Sequence, residues 1–217
     1  MISQCKQAAR HALQGKWLFM AGAVIVLTFI TAIPELISPA TYNDEESLTG
    51  LQQTMDFATI ILSALLLPLS VGWLWLTLSL TRTSRISMKT LFKPFTVMFW
   101  KSIWVSILTG LFIFLWSLLL IVPGIIKTIS YSFTMYILHD RPELSAMQAI
   151  TESRKMINGY KTQAFLLFLS FLGWFLLGII TLGLGFLFIY PYYSVSYAQF
   201  YEEVKRKEYG GDIEYMA

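Results

Sequence analysis

The amino-acid sequence predicts an all-α protein, a bundle of six transmembrane helices arranged as three helical hairpins. The 217-residue chain is 56% hydrophobic and only 13% charged, with a mean hydropathy of +0.61, whereas soluble domains carry about 25% charged residues. Its apolar residues fall into six long runs, and every lysine and arginine except Lys127 lies at or beyond the ends of these runs. This composition argues against a cytosolic enzyme, a nucleic-acid-binding protein and a disordered chain.

Each apolar run is predicted to be one membrane-spanning helix. A helix needs about 20 apolar residues to cross the hydrocarbon core of a bilayer. The runs are Trp17–Ile37, Phe57–Leu80, Lys101–Val122, Gly124–Leu138, Ala164–Ile180 and Leu182–Tyr201. Backbone groups in lipid must be satisfied internally, and the runs lack the alternation of a barrel strand, so helices are expected. The shortest run, Gly124–Leu138, either crosses with local thinning of the bilayer or dips into it together with the preceding run.

The positions of the cations predict the orientation of these helices. Cytoplasmic loops of membrane proteins carry an excess of lysine and arginine. Residues 38–56, between the first two runs, contain no lysine or arginine. Of the 16 lysines and arginines, 15 lie before the first run, between the second and third runs (counting Lys101 at the boundary), between the fourth and fifth runs, or after the sixth run, and Lys127 is the exception. An even number of crossings with both termini in the cytoplasm satisfies all of these segments.

The chain is predicted to be a single integral membrane domain, 1–217, with an internal repeat. Each unit has a short basic amphipathic segment, an apolar helix, a turn and a second helix that contains or follows a proline. The units would be 3–80, 82–138 and 140–206. The alternative is that the similarity between the units is short and coincidental, as is common among apolar segments.

The short basic segments that begin the three predicted units are predicted to form amphipathic helices in the cytoplasmic headgroup layer. In the segment that begins the second unit, cations recur at every fourth residue and therefore share one helical face. The segment that begins the third unit is predicted to start with Asp140 and Glu143 in a variant of the capping box. Contacts with anionic lipid headgroups are expected from Arg85, Lys89, Lys93, Arg154 and Lys155. The alternative is that these cations only fix the orientation of the chain.

Four residues are candidates for contact with a ligand or lipid. Lys127 is a cation within an apolar run, near the predicted outer leaflet, where it either reaches the interface with its long side chain or binds a lipid phosphate, a substrate anion or Glu35. Tyrosines and serines concentrate on the fourth and sixth runs, where a semi-polar cavity would be lined by Tyr131, Tyr193 and Tyr197. The favoured interpretation of these side chains is interhelical hydrogen bonding and an interfacial aromatic belt.

No pattern of catalytic or metal-binding residues is apparent in the sequence. The chain has one cysteine and two histidines, and it lacks P-loop, nucleophile-elbow and zincin motifs. We therefore expect no catalytic residue, no metal site and no cofactor. The favoured function is non-enzymatic: binding of lipid or a small amphiphile, or assistance to transport or to envelope-stress resistance. The alternative is a transporter or channel subunit with a path between the proline-containing helices.

The partners expected from the charge pattern are membrane lipids, through anionic headgroups on the cytoplasmic side. Nucleic acid is not expected as a partner. A homo-oligomer or a complex with a transport system stays open.

Several short motifs occur together along the chain, among them Pro123-Gly124-Ile125-Ile126-Lys127, Ser153-Arg154-Lys155-Met156, Phe171-Leu172-Gly173-Trp174 and Thr181-Leu182-Gly183-Leu184-Gly185. In this combination the chain resembles the bacterial integral membrane family labelled domain of unknown function 975. The resemblance covers essentially the whole chain and departs at Asn158 and Tyr160, where a basic residue is commoner. It implies a multi-pass plasma-membrane protein of a Gram-positive-type bacterium. It implies no activity, so no catalytic residue can be carried over.

Overall fold

The computed structural model describes residues 1–37, 50–83 and 86–210, and these ranges are helical without any β-strand. The helices are α1 (Ile2–Leu13), α2 (Trp17–Ile37), α3 (Gly50–Leu65), α4 (Leu67–Thr83), α5 (Met88–Val97), α6 (Phe99–Leu119), α7 (Ile121–Tyr131), α8 (Thr134–Asp140), α9 (Ala146–Met156), α10 (Lys161–Leu169), α11 (Leu172–Ile180) and α12 (Phe186–Tyr209). The prediction of an all-α protein is confirmed. Arg85 lies outside the described residues.

Five stretches in the described ranges are long and apolar enough to cross a membrane. They are Trp17–Leu36, Thr54–Thr83, Phe99–Leu119, Ile121–Asp140 and Lys161–Ile180. Each overlaps one of the predicted runs, and such helices are typical of an integral membrane protein. The sixth predicted run falls in α12, a 24-residue helix that is not among the five. Its tyrosines and serines and its charged last turns lower its hydropathy.

The fourth stretch is longer than the sequence prediction of Gly124–Leu138. It covers the 20 residues Ile121–Asp140, because the helix begins before Pro123. Proline in the first turn of a helix removes an N–H that has no intrahelical partner there, so the helix tolerates it. At about 1.5 Å per residue, 20 helical residues measure about 30 Å, so the stretch is long enough to cross a bilayer without local thinning.

Three short amphipathic helices pack against other helices of the bundle. α1 lies against α12, α5 against α4, and α9 against α8. Their apolar faces are buried, as Leu13, Leu91 and Ile150 illustrate. Each short helix therefore contacts a helix in the second half of a predicted unit. α5 contacts the first unit, α9 the second and α1 the third. The proposed units 3–80, 82–138 and 140–206 would produce this arrangement, and the repeat itself stays a prediction.

The packing of α5 on α4 depends on a glycine. A Cβ atom built on Gly72 would lie 1.8 Å from the carbonyl oxygen of Leu91. This distance is far below van der Waals contact, and the atom it meets belongs to the backbone of α5. Gly72 therefore sets the separation of the two helices.

The predicted capping box at Asp140 and Glu143 is wrong, because the helix begins five residues later. The Ser145 hydroxyl accepts a hydrogen bond from the Gln148 amide at 3.3 Å, and the Gln148 side chain accepts one from the Ser145 amide at 2.8 Å. These two bonds form a capping box for α9. Asp140 instead ends α8, and its carboxylate contacts other helices.

Candidate functional site

A cavity of about 640 Å³ lies between α4, α7, α8, α10 and α12. Most of its wall is aliphatic or aromatic, with Leu74, Ile125 and Phe168 as examples. The lining residues with a hydroxyl group are Thr128, Ser132, Tyr136, Tyr190, Tyr193, Ser194 and Tyr197. Among the residues that the structure describes, no charged side chain lines this central cavity.

Hydrogen bonds between helices fix part of the polar wall of the central cavity. The Tyr197 hydroxyl donates to the Ser132 hydroxyl at 2.5 Å, which joins α12 to the segment between α7 and α8. The Trp73 indole nitrogen donates to the Ser194 hydroxyl at 3.0 Å, which joins α4 to α12. The buried Tyr136 hydroxyl makes no hydrogen bond within the described part of the chain. Two interhelical hydrogen bonds therefore fix the positions of Ser132 and Ser194 in the wall. The Tyr136 hydroxyl stays available to hydrogen-bond a ligand.

The structure separates the four candidate ligand residues. Tyr193 and Tyr197 line the central cavity. Tyr131 is buried outside it, with its ring centroid 6.2 Å from that of Phe112 on α6. Tyrosines of α12 thus contribute to the cavity wall, whereas α7 contributes through Ile125, Thr128 and Ile129. A ligand-binding role for these tyrosines stays a prediction.

Lys127 is half-buried and faces away from the central cavity. Its Nζ atom lies 4.2 Å from the centroid of the Trp116 ring on α6, a distance at which a cation is attracted to the face of an aromatic ring. No ion pair between Lys127 and Glu35 forms, although both residues are described. The cation–π contact gives the ammonium group a partner that neither sequence alternative named.

A charged cluster joins the ends of α4, α8 and α12, and sequence reasoning missed it. Asp140 accepts hydrogen bonds from Arg82 at 2.6 and 2.8 Å, from Lys205 at 2.6 Å and from the Tyr201 hydroxyl at 2.8 Å. Arg82 also donates to Glu202 at 2.8 and 2.7 Å. The Asp140 side chain is only 11% exposed. These contacts join α4, α8 and α12.

The sequence signal for the charged cluster is that three of its residues lie at the same distance along the chain from a residue that lines the central cavity. Its partners are 58 to 120 residues apart, so no local pattern connects them. Arg82, Asp140 and Glu202 each follow a cavity-lining residue by eight positions, namely Leu74, Ser132 and Ser194 in that order. The central cavity and the charged cluster are therefore built from corresponding positions of three helices.

The cluster is a set of ion pairs and not a metal site. Its two carboxylates are each bound by Arg82. Over residues 1–37, 50–83 and 86–210, no group of three or more histidine, cysteine, aspartate and glutamate side chains could hold a metal ion.

Four of the cations predicted to contact anionic lipid are exposed, namely Lys89, Lys93, Arg154 and Lys155. Lys155 pairs with Glu152 at 3.1 Å, and Arg141 approaches the same carboxylate at 3.5 Å. The hydrogen bond from Lys155 holds the pKa of the Glu152 carboxyl below its usual value. The charge of Lys155 is thus partly neutralised, and Arg154 makes no ion pair with any described residue.

Comparisons with known proteins give a family and no activity. No curated protein and no solved structure matches the chain. One family model matches residues 1–133 and 118–208, so the two matches together cover nearly the whole sequence. That family has no assigned function, and it therefore gives no role to the central cavity or to the charged cluster. The chain belongs to the family described as protein of unknown function (DUF975).

Proposed function

We propose that this protein is a non-enzymatic, six-span protein of a bacterial plasma membrane whose central cavity binds a neutral lipid or a small amphiphile. The observation that carries the proposal is the cavity itself. Its volume of about 640 Å³ falls within the range of about 300–1,000 Å³ that is usual for small-molecule sites. An apolar wall with a few hydroxyl groups suits an apolar molecule that has one or two polar groups.

The absence of charge in the described wall favours a neutral ligand. Burying a charge without a partner costs much more than burying a hydroxyl or ester group. The unpaired Tyr136 hydroxyl and the Ser132 and Ser194 hydroxyls offer hydrogen-bonding capacity to such a group. The same wall would disfavour an inorganic ion or a sugar, whose polar atoms outnumber these partners.

A sixth crossing by α12 is supported by the partners of its polar residues. Ser194 and Ser196 are buried, with exposures of 6% and 0%, so these hydroxyls face neighbouring helices and not lipid. α12 also pairs with α4 over much of its length, from the stacked rings of Trp73 and Tyr190 to the ion pair of Arg82 with Glu202. A polar helix is tolerated in a membrane when its polar groups face the bundle interior.

With six crossings, the short basic helices and both termini face the cytoplasm. Exposed Lys89, Lys93 and Arg154 are then available to the anionic headgroups of the inner leaflet. Anionic lipid at this surface and a neutral ligand in the central cavity are separate contacts.

The cavity assignment predicts a loss of binding when the cavity is filled. Thr128 lines the cavity, and its hydroxyl bonds only to the Gly124 carbonyl of its own helix. Thr128→Trp in the full-length protein is expected to weaken binding of a fluorescent diacylglycerol by about tenfold or more, the effect of about 1.4 kcal/mol. Fluorescence titration in nanodiscs measures the dissociation constant.

Leu111→Trp is the matched control, because Leu111 is 47% exposed on α6 and does not line the cavity. This variant should bind the probe as the unchanged protein does. Equal weakening by both substitutions, or no binding by the unchanged protein, would contradict the assignment.

A transporter or channel subunit is the second candidate, and the position of the central cavity favours it. The cavity lies between α4 and α12, which contain the buried prolines Pro68 and Pro191. Helices interrupted by proline often line the binding sites of transporters.

Single cysteines at Tyr190 and Tyr197 in a Cys5→Ala background test this alternative. A continuous path predicts that both positions react with a membrane-impermeant thiol reagent. If both stay unreactive while a cysteine at Glu208 is labelled, the path does not exist.

A further inference from the structure

The central cavity has a mouth on one side of the bundle, between α7 and α10. The wall residues Ile125 on α7 and Phe165 and Phe168 on α10 are 40–45% exposed, and Tyr190 on α12 completes this exposed rim. By contrast, the wall residue Tyr136 is only 1% exposed. The cavity therefore runs from an exposed rim to a fully buried end.

Aromatic side chains close the cavity on its other sides. The Trp73 ring of α4 stacks on Tyr190 at a centroid distance of 5.0 Å, which joins α4 to α12. At the buried end, the Tyr136 ring stacks on Tyr201 at 5.0 Å, and the Phe133 ring lies 5.1 Å from that of Tyr201. Beyond these rings, the Tyr201 hydroxyl donates to the charged cluster. Within the ranges that the structure describes, a ligand thus reaches the cavity through the mouth between α7 and α10.

The surface around the mouth is apolar. Beside the rim residues, Ile126 on α7 and Leu166 and Leu169 on α10 are exposed. Both helices belong to stretches that are long and apolar enough to cross a membrane, Ile121–Asp140 and Lys161–Ile180. Exposed apolar side chains of this kind are more stable against acyl chains than against water. The mouth therefore opens to the hydrocarbon of the bilayer and gives a lipid a route that avoids water.

The cavity is too small to enclose a lipid with two acyl chains. A volume of about 640 Å³ suits a drug-sized molecule, and a diacyl lipid is much larger. A lipid in this site therefore leaves part of its acyl chains outside the wall. The lateral mouth allows this, because chains that pass between Ile125 and Phe168 stay in contact with apolar side chains and with bilayer hydrocarbon.

Several hydroxyl groups of the wall already donate their protons to the protein. Thr128 donates to the Gly124 carbonyl at 3.0 Å, and Ser132 donates to the Ile129 carbonyl at 2.7 Å. The Tyr197 hydroxyl donates to Ser132. These three groups therefore need no acceptor from a ligand.

Two other hydroxyl groups of the wall keep a free proton. The Tyr136 hydroxyl at the buried end has no hydrogen-bond partner among the described residues. The Ser194 hydroxyl accepts from Trp73 and donates to no residue that the structure describes. A buried donor without an acceptor is destabilising, so a ligand that brings an acceptor is favoured. An ester group fits, because it has two oxygen acceptors and no proton of its own.

We propose that the central cavity binds the acyl-ester group of a membrane lipid that enters sideways between α7 and α10. The ester carbonyl accepts a hydrogen bond from the Tyr136 hydroxyl, while the acyl chains extend through the mouth into the hydrocarbon. The inference rests on the proposed function, to which it adds the chemical group that is recognised and the route by which it arrives. A soluble amphiphile would need no lateral mouth, and an ether lipid would offer a weaker acceptor.

The first measurement compares ester and ether lipids. The full-length protein in nanodiscs is titrated with a fluorescent diacylglycerol and with the ether-linked dialkylglycerol that carries the same fluorophore. The unchanged protein is expected to bind the ester probe about fivefold more tightly, the effect of one neutral hydrogen bond. Tyr136→Phe should remove this preference. Tyr192→Phe is the matched control and should keep it, because Tyr192 is buried on α12 outside the cavity wall.

The second measurement locates the acyl chains. Cys5→Ala removes the native thiol, and Phe168→Cys carries a bimane fluorophore at the rim in place of the aromatic ring. Diacylglycerol with a nitroxide on one acyl chain should quench this bimane, and an excess of unlabelled diacylglycerol should reverse most of the quenching. At Leu111→Cys, exposed on α6 outside the wall, the unlabelled lipid should reverse none of it, because only bulk lipid reaches that position.

The outcomes separate this inference from the proposed function. If Thr128→Trp weakens diacylglycerol binding but the unchanged protein binds both probes equally, ester recognition is overturned and the cavity assignment stands. A preference that survives in Tyr136→Phe has the same meaning. Quenching at position 168 that unlabelled diacylglycerol does not reverse, in a protein that binds the probe, overturns the lateral route. A lack of binding of either probe by the unchanged protein would contradict the proposed function itself, and this inference with it.

Discussion

Replacing Asp140 with alanine is expected to lower the free energy of unfolding by about 3 kcal/mol, the lower end of the range for breaking a buried ion pair. Asp140 accepts hydrogen bonds from Arg82, Lys205 and Tyr201. Its removal leaves two cations without the carboxylate that they share. The ends of α4, α8 and α12 would then lose their common contact.

Denaturant unfolding in detergent, followed by tryptophan fluorescence, measures this loss. Glu203→Ala is the matched control, because Glu203 pairs with Arg206 and Lys207 within a single helix. Such exposed pairs contribute about 0.3–0.5 kcal/mol. A double-mutant cycle with Arg82→Ala should show coupling between Asp140 and Arg82. Similar stability losses in the Asp140 and Glu203 variants would contradict the role of the charged cluster.

Gly72→Ala is expected to destabilise the protein by about 3 kcal/mol, at the upper end of the usual range for overpacking. The added Cβ would meet the Leu91 carbonyl oxygen at 1.8 Å. Because that oxygen belongs to the backbone of α5, no side-chain rotation can relieve the clash. α5 would have to move away from α4, which would expose the buried Leu91 side chain.

Gly110→Ala provides the comparison, since a Cβ atom there has nothing within 4 Å and alanine has the higher helix propensity. This variant should be as stable as the unchanged protein or slightly more stable. Thermal unfolding of both variants in the same detergent checks the prediction. A Gly72 variant with an unchanged midpoint would show that α5 does not pack on α4 in the way described.

Long helices were predictable from the sequence, and the packing between them was not. A run such as Trp17–Ile37 marks its own helix, because an uninterrupted apolar segment has few alternatives in a membrane. The boundary at Ile121 was missed because Pro123 was assigned to the turn before the helix and not to the first turn of the helix itself. Helix α9 was placed too early because Asp140 offers a good N-cap in sequence but pairs with Arg82 in the structure.

The sequence offered a cavity between the fourth and sixth runs only as the less favoured interpretation of their tyrosines, and it did not indicate which residues form the wall. In the structure, Tyr193 and Tyr197 line a cavity there. Tyr131 looked equivalent to Tyr193 in sequence, but the adjacent Ser132 occupies the wall instead. One position along a helix changes the direction of a side chain by about 100°, so a residue count alone could not decide between them. Contributions from α4 and α10 depend on contacts distant in sequence.

The contact between α1 and α12 has a consequence for biosynthesis. Lys207 lies 3.5 Å from the Met1 sulfur across a separation of 206 residues, so α1 packs against a helix that is made about 200 residues later. At 5–20 residues per second, the ribosome needs roughly 10 to 40 s between them. During that time the apolar face of α1 lacks the neighbour with which it makes most of its contacts. A truncated chain that stops before α12 would keep this face open to chaperones and membrane proteases, which distinguishes an unfinished product from a complete one.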